Sequence, residues 1–453
     1  MKKKLRYERP TITKQYSGLM NKFGSSSLSR PTVDIDGVSI KSLCEGYGSP
    51  LFVISEKKIR QNQKNAFRIF KNRYPKVQFA WSYKTNYLDA VCSVFHQEGS
   101  WAEVVSDFEY DKARKLGVKG EHIIFNGPAK SEAGLLNAMK NKSKIHIDHF
   151  DELFLISELA ETNNIRAEVA IRINMDVGIY PIWDRFGFNF ENGESWQAIN
   201  RIIQNKNLKL VGLHTHIGTY VMSAEAYRIA AYNLAGLCKR IKNEFNVSLE
   251  YLDLGGGFAS HNTLIGQYLP AEQLVPSVEQ YADAITNGIF DVSFKSEDLP
   301  TLILETGRAL IDDAGFLITS VITNKRLTSG KRAVIIDAGV NILFTSFWYK
   351  HNIQLCQNSG VHTEDTAIYG PLCMNIDCIT ESINLPSINR GDKLLIKYVG
   401  AYNMTQWMQF ISMRPNVVMI MENGKVELIR KAENLDYLLE QELLPKKLKL
   451  IPV

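Results

Sequence analysis

Apolar runs of strand length alternate with amphipathic stretches through the first two thirds of the chain. The predicted strands are QFAWSY (78–83), WAEVV (101–105), HIIF (122–125), KIHID (144–148), EVAIRI (168–173), KLVGLHTH (209–216), LEYLDL (249–254) and LPTLILE (299–305). The intervening patterns of helical period include 108–115, 132–139, 151–161, 195–204 and 224–243. Eight strands followed by helices over about 250 residues predict an α/β fold of the (β/α)8-barrel type. A doubly wound open sheet would share the alternation, but the count of eight favours the barrel.

The pattern changes after Arg308 to short β-like runs separated by turn residues. The runs are VITNKRL, KRAVIID, AIYGPLC, KLLIKYV, NVVMI and KVELI, with SGK, NRGD and ENGK among the turns. Hairpin spacing of this kind predicts a second, all-β domain at the C-terminal end. We therefore divide the chain into a basic flexible leader (1–34), an N-terminal segment that joins the β domain (35–55), the barrel (56–311), and the β domain with a C-terminal tail (312–453).

Composition and charge exclude several classes of protein. The chain has 453 residues, of which 45% are hydrophobic and 22% charged, as in ordinary globular proteins. Residues 1–30 carry eight basic side chains and one acidic one, a net charge of +7, so the remainder carries −2 of the overall +5. A nucleic-acid-binding protein would more often carry its positive charge on a folded surface. We therefore expect no nucleic-acid partner.

Targeting signals and cysteine chemistry are also sparse. No apolar run reaches the roughly 18 residues that span a bilayer, and no apolar signal core follows the first lysines. Six cysteines are too few for a disulfide framework, and none has the spacing of a zinc site. The sequence therefore predicts a cytoplasmic protein without membrane contact and without a metal.

Chemically distinctive residues stand where four of the predicted strands end. Lys84 follows the first strand and His216 ends the sixth. Gly255–Gly257 follow the seventh strand, and Glu305–Arg308 close the eighth. Each has an ordinary interpretation alone: a solvated lysine, a core histidine, a turn, an ion pair. In a barrel, however, these strand ends meet at one rim, where catalytic groups lie.

Together these residues supply an amine, a flat ring, a carboxylate and a glycine loop that could receive a phosphate. That set matches the needs of pyridoxal phosphate (PLP): a lysine for the Schiff base, an acid that keeps the pyridine nitrogen protonated, and donors for the phosphate. The protonated ring then accepts electrons from a carbanion at the substrate α-carbon. We therefore predict a PLP enzyme acting on an amino acid.

At this point the chain resembles a known family, the barrel-type (alanine-racemase-fold) PLP decarboxylases of the diaminopimelate, ornithine and arginine decarboxylase group. It is nearest to the diaminopimelate decarboxylases. The resemblance covers roughly 35–430 and rests on motifs in a matching order. They are SYKTN, WAEVVSDFE, FNGPAKS, IRIN, RFGF, GLHTHIGT, LDLGGGF, ETGR, GPLC and GAY.

The resemblance implies a role for each matching residue. Lys84 would form the Schiff base, His216 would stack on the pyridine ring, and Glu305 would pair with the ring nitrogen. Further cofactor contacts are implied for Glu103 (where the family has Asp), Arg172, Thr219, Gly255, Gly256, Gly257, Gly307, Arg308 and Tyr402. Cys373 would act as a catalytic proton donor in the partner's site of a head-to-tail homodimer. A free cysteine is more commonly a buried apolar residue, but its place in GPLC favours the catalytic role.

Two departures from the family concern the distal end of the substrate. Thr345 stands where diaminopimelate decarboxylases have an Arg that grips a carboxylate, although Tyr349 is retained. Met374 stands where they have an acid after the cysteine. An Arg and a carboxylate are the natural partners of a distal zwitterion. With Thr345, Tyr349, Cys373 and Met374 as substrate contacts, we expect an amino acid other than meso-diaminopimelate, free or tethered to a carrier protein.

Three alternatives remain open. A true meso-diaminopimelate decarboxylase fits if the correspondence at Thr345 is shifted by a residue or two. A racemase on the same fold would need a second base, typically Tyr, opposite Lys84, and the GPLC segment argues against it. A non-catalytic PLP-binding protein would lack the β domain.

Overall fold

The computed structural model describes residues 31–269, 271–360 and 362–448, except for the side chain of Glu272. The predicted leader therefore lies outside the described residues up to residue 30, as does the end of the predicted tail. The described residues form two compact units. The barrel unit contains 57–314 and 400–405, and the β unit contains 31–56, 315–399 and 406–448.

The barrel unit is built on a closed sheet of eight parallel strands. In chain order they are Val77–Ser82, Trp101–Val104, Ile123–Phe125, Lys144–Ile147, Ala167–Asn174, Leu208–Thr215, Tyr251–Asp253 and Thr301–Thr306. Each strand pairs with the next in parallel. The eighth strand pairs with the first from Leu302 opposite Val77 to Thr306 opposite Trp81, which closes the sheet. The predicted (β/α)8 barrel is confirmed, since an open sheet has no such pairing.

Helices lie between the strands, and those that begin at Asp107, Glu132, Phe150, Glu194 and Ala224 match the five stretches predicted from the amphipathic pattern. The helices are Glu56–Arg73, Asp89–Gln97, Asp107–Lys115, Glu132–Lys140, Phe150–Thr162, Glu194–Gln204, Ala224–Phe245, Ala271–Leu274, Val278–Phe290 and Arg308–Ile311. Serine N-caps begin several of them: the hydroxyls of Ser106, Ser131 and Ser223 each accept a hydrogen bond from the amide three residues on. Short 3₁₀ turns span Tyr83–Thr85, Gly120–His122 and Asp312–Ala314, and two-residue strands span Phe188–Asn189 and Thr263–Leu264.

The β unit contains the predicted strands and an N-terminal contribution. Its strands are Asp34–Ile35, Val38–Ser39, Leu51–Ser55, Gly315–Arg326, Arg332–Ile336, Tyr349–Lys350, Ile353–Leu355, Thr363–Tyr369, Cys378–Pro386, Lys393–Lys397, Val417–Ile420 and Val426–Arg430. Helices span Ile40–Tyr47 and Leu435–Leu439, with 3₁₀ turns at Phe344–Phe347 and Lys446–Leu448. The N-terminal strand Leu51–Ser55 lies between Gly315–Ile318, which runs antiparallel to it, and Val417–Ile420, which runs parallel. The predicted fold, in which the β domain takes N-terminal residues, is confirmed.

Residues 400–405 depart from the predicted order, because they cluster with the barrel although the β domain surrounds them in sequence. The amide of Ala401 donates to Asp312 Oδ1 at 3.1 Å, and the amide of Tyr402 donates to the Thr85 carbonyl at 2.8 Å. Gly400 lies so close to the chain that a Cβ there would be 2.0 Å from the Ile311 carbonyl oxygen. Tyr402 is therefore held beside the turn that carries Lys84. In the described part of the chain, no helix combines the length and the apolarity that crossing a bilayer requires.

Candidate active site

Lys84 lies on the 3₁₀ turn that follows the first barrel strand. Its Nζ is 2.6 Å from Oε2 of Glu103, a fully buried residue of the second strand, while the lysine side chain itself is 35% exposed. Burial disfavours the charged ammonium, but the carboxylates of Glu103 and Glu305 outweigh that effect and raise the pKa of Lys84. The amine thus faces the open rim with a proton acceptor in contact behind it.

Glu103 is held by more than this ion pair. The hydroxyl of Ser82 donates to its Oε2 at 2.5 Å, and Nδ2 of Asn126 donates to its Oε1 at 3.1 Å. The glutamate that replaces the family's aspartate therefore has both carboxylate oxygens occupied. Sequence reasoning missed Asn126 and Ser82; the only signal was that each belongs to a quoted motif, FNGPAKS or SYKTN.

Glu305 is the second buried carboxylate of the rim, on the eighth strand. It accepts a hydrogen bond from Asn126 Nδ2, and its Oε1 is 3.4 Å from His214 Nε2. Asp253 lies nearby on the seventh strand, where burial, and next the charge of Glu305, raise the pKa of Asp253 well above its usual range. The proton is thereby favoured on Asp253.

His216 directly follows the sixth strand and provides the flat ring. Burial, followed by the charge of Arg172, lowers the pKa of His216 to about 3, so the imidazole is neutral at physiological pH. One face of the ring is covered by Trp183, with 5.6 Å between ring centroids and 15° between the planes. Trp183 was not predicted from sequence, although it stands two residues before the quoted RFGF motif. A neutral, supported ring is suited to stacking on another aromatic system.

The glycine loop after the seventh strand approaches other backbone more closely than any side chain would allow. A Cβ at Gly256 would lie 2.3 Å from the Glu305 carbonyl oxygen, and one at Gly257 would lie 2.1 Å from that of Gly218. Gly255 and Gly257 also have positive φ angles, +63° and +89°. At Gly307 an added Cβ would lie 2.6 Å from Thr85 Oγ1. The glycines thus let the loop pack directly against the backbone of Glu305 and Gly218.

Arg308 supplies the cation beside this loop. It is buried, and its Nη2 donates to Thr219 Oγ1 at 3.2 Å. Its guanidinium carbon is 4.6 Å from the centroid of the Tyr402 ring, which stacks on it. A guanidinium and a hydroxyl beside a glycine loop are donors of the kind that a phosphate requires.

Arg172, on the fifth strand, lies close to Phe186 and Asp148. Its guanidinium carbon is 4.5 Å from the centroid of Phe186, and its Nη1 is 3.9 Å from Asp148 Oδ1. Burial lowers the pKa of Arg172. The predicted contact of Arg172 with the cofactor remains a prediction.

The predicted substrate contacts lie in the β unit and have different environments. Thr345 is fully buried, with its Oγ1 3.1 Å from His351 Nε2, and Tyr349 is also buried. Cys373 is exposed and Met374 is half-buried. Their turn is held by the carboxylate of Asp377, which accepts the amides of Leu372 at 2.7 Å and Val340 at 2.8 Å. The substrate roles remain predictions, and Asp377 is a structural residue that sequence reasoning missed.

The barrel rim therefore offers a lysine with an adjacent carboxylate, a second buried carboxylate, a neutral flat ring and donors suited to a phosphate. These groups fit PLP, since Lys84 supplies the amine, Glu305 the acid and Arg308, with Thr219, donors for the phosphate. Lys84, Glu305, His216, Gly255–Gly257 and Arg308 all belong to the barrel unit. The four strand-end motifs named from sequence thus come together as expected.

Comparison with known proteins agrees with this cofactor. Residues 59–312 match the family model for the pyridoxal-binding domain of pyridoxal-dependent decarboxylases. The diaminopimelate decarboxylase of Aquifex aeolicus is 29% identical over 419 residues, covering 90% of this chain and 95% of the relative. That of Methanocaldococcus jannaschii is 30% identical over 430 residues, covering 91% and 95%. The crystal structure of the M. jannaschii enzyme in complex with L-lysine has a TM-score of 0.83 at 28% identity, covering 92% of this chain and 97% of that one.

Proposed function

The chain belongs to the pyridoxal-dependent decarboxylase family, and from that premise we propose that it removes one carboxylate from meso-diaminopimelate to release CO2 and lysine. Its enzyme class is that of the family, a PLP-dependent carboxy-lyase. The observation that carries the chemistry is the rim on which Lys84, Glu103, Glu305 and the glycine loop converge. The likeness to diaminopimelate decarboxylases along nearly the whole of both chains supports the choice of substrate.

Each rim residue has a task in this reaction. Bound PLP supplies an electron sink for the electron pair left at the α-carbon when CO2 departs. Lys84 would hold the cofactor covalently, and Glu103, 2.6 Å away, would take the proton that the ammonium must lose before its nitrogen can react. Glu305 would pair with the ring nitrogen, His216 would stack on the ring, and the glycine loop with Arg308 would bind the phosphate. The proton that replaces CO2 would come from Cys373 or Lys84.

The residues predicted to contact the distal end of the substrate give only limited support to an altered specificity. That hypothesis depended on Thr345 and Met374. Thr345 is fully buried, and its hydroxyl contacts His351. The absence of an arginine at this position therefore says nothing direct about a substrate carboxylate. Met374, half-buried beside the exposed Cys373, still favours a second candidate: an amino acid with a different distal group, free or carrier-tethered.

The substrate is tested by CO2 release from purified, PLP-loaded protein. The panel contains meso-diaminopimelate, lysine, ornithine, arginine, glutamate and carrier-tethered aminoacyl groups. We expect the highest kcat/KM with meso-diaminopimelate. Met374→Glu should raise that value a few-fold, because a partly exposed ion pair with the distal ammonium contributes up to about 1 kcal/mol. Met374→Leu is the matched control and should leave it unchanged. Turnover of another panel member without turnover of meso-diaminopimelate would establish the second candidate instead.

We also propose that two copies of the chain form a homodimer in which Cys373 enters the partner's site. The β unit exposes a group of large apolar side chains on segments adjacent to the turn of Cys373: Phe347, Ile376, Phe410, Ile411 and Met413. Asn341 links two of these segments, because its Nδ2 donates to Ser412 Oγ at 2.9 Å. Exposed apolar groups of this kind favour association. A second copy of the chain bound to this apolar surface would also bring its exposed Cys373 to a barrel rim.

Mixing two variants, each of which lacks one of the two groups, tests the shared site. Lys84→Ala lacks the amine, and Cys373→Ala lacks the predicted donor. If each site takes Lys84 from one copy and Cys373 from the other, mixed dimers contain one complete site. We therefore expect decarboxylation to reappear on mixing and exchange of subunits, in proportion to the heterodimers counted by native mass spectrometry. Heterodimers without recovered activity would contradict the shared arrangement.

A further inference from the structure

A single buried amide contacts both carboxylates of the rim. Asn126 follows the third barrel strand, and its Nδ2 donates to Glu103 Oε1 at 3.1 Å and to Glu305 Oε1. The two glutamates stand on the second and eighth strands, which flank the first strand, after which Lys84 lies. The side chains of Asn126, Glu103 and Glu305 are all buried. An amide nitrogen carries two hydrogens, so one is available for each carboxylate.

Two carboxylates so close in a dry interior would ordinarily not both stay ionised. Each needs donors to replace the water it has lost, and without them one acid takes up a proton. Glu103 receives Ser82 at 2.5 Å and Lys84 at 2.6 Å in addition to the amide. Glu305 has His214 Nε2 at 3.4 Å, beyond a good hydrogen bond, and it also has the carboxyl group of Asp253 as a side-chain hydrogen-bond partner. The amide is thus the short donor that the two acids share.

We propose that Asn126 is a positioning residue that holds Glu103 and Glu305 in register through one shared amide, so that the proton at Lys84 and the proton at the ring nitrogen of PLP are set by one coupled network. The proposal rests on the assignment of PLP to this rim and not on the choice of substrate. It gives the FNG motif a chemical role: the asparagine side chain connects the acid at the amine with the acid at the ring.

Several other ionisable groups face this network: Lys84, Glu109, His146, Arg172, His214, His216 and Asp253. Burial lowers the pKa of all three histidines, so they stay neutral. Burial also raises the pKa of Glu109 to about 7. All variants in the test retain Glu109, so its titration is common to them.

Asn126→Asp is the sharpest variant, because it keeps the shape of the side chain and changes only what it donates. A neutral aspartic acid still has one O–H to donate, whereas an ionised one has none and adds a third negative charge. We expect PLP binding near that of the unmodified protein at low pH. As pH rises and the introduced carboxyl group ionises, the dissociation constant of PLP should increase at least about tenfold, and the absorbance titration of bound PLP should move by at least about one pH unit.

Two further variants separate this role from packing. Asn126→Ser retains one donor and should weaken PLP binding equally at every pH. Asn141→Asp places the same change on a different asparagine of the barrel unit, one that bonds to Asn137, and should leave the titration in place. Folding of each variant is checked by circular dichroism.

The outcome that overturns the proposal is an unmoved absorbance titration in folded Asn126→Asp. If the aspartate variant does not fold, the same outcome in Asn126→Leu, which keeps a similar volume and donates no hydrogen bond, overturns it. Equal weakening of PLP binding by the aspartate and serine variants at every pH also overturns it, since packing alone would produce that. Borohydride reduction and mass spectrometry of the unmodified protein establish independently whether PLP is attached at Lys84. Failure to decarboxylate meso-diaminopimelate, with PLP attached, would contradict the proposed substrate and leave the role of Asn126 intact.

Discussion

Lys84→Ala is expected to abolish the visible absorbance of covalently bound PLP and to lower decarboxylation by at least about 10³-fold, as loss of a covalent catalyst does elsewhere. The amine is the group on the rim that combines exposure with a buried base, Glu103, in contact with its Nζ. Removing it also leaves the Glu103 carboxylate without its cation. We therefore expect a fall in thermal stability of the unloaded protein as well, because an unpaired buried charge is costly.

Lys115→Ala is the matched control for this loss of a lysine. Lys115 ends the helix Asp107–Lys115 and is exposed, so its removal should change neither the absorbance nor the rate. Absorbance spectra and CO2 release are measured on both variants after loading with PLP. Retention of a covalent chromophore by folded Lys84→Ala would refute the assignment of this lysine.

Gly257→Ala is expected to raise the dissociation constant of PLP by roughly 10- to 100-fold, the equivalent of about 1–3 kcal/mol of overpacking. The added Cβ would lie 2.1 Å from the carbonyl oxygen of Gly218, so one of the two backbones must move. Gly218 immediately precedes Thr219, whose hydroxyl accepts a hydrogen bond from Arg308. Displacement there disturbs both sides of the phosphate site.

Gly117→Ala is the control that separates the effect of the positive φ angle from the effect of the clash. Gly257 has φ +89° and Gly117 has φ +87°, but a Cβ at Gly117 meets nothing within 4 Å. Both substitutions therefore carry the same backbone strain, and only the one in the loop carries the clash. Gly117→Ala should lower the melting temperature and leave PLP affinity unchanged. Equal PLP affinities in the two variants would remove the glycine loop from the phosphate site.

The course of the barrel follows from patterns that are local in sequence. The predicted helix 224–243 corresponds to Ala224–Phe245 and the predicted strand 209–216 to Leu208–Thr215, because alternation and helical period are properties of a few neighbouring residues. The strand Cys378–Pro386 was not predicted, since much of it is exposed and carries polar side chains without a clear apolar face. The placement of residues 400–405 was not predicted either, because their partners, Asp312 and Thr85, are remote in sequence.

The residues of the site likewise fall into two groups, those that the sequence predicts and those that only the structure shows. Lys84, His216, the glycine loop and Glu305 follow from sequence, because parallel strands of a barrel must bring their carboxyl ends to one rim. The bridge of Asn126 between two carboxylates, the cover of Trp183 on His216 and the burial of Thr345 do not follow. Each depends on the angle and distance between side chains from separate elements. Chain order thus established the fold and the cofactor, and it predicted the lysine. Packing alone decided which acids share a donor and which predicted contacts lie buried, because those interactions arise only once distant segments meet.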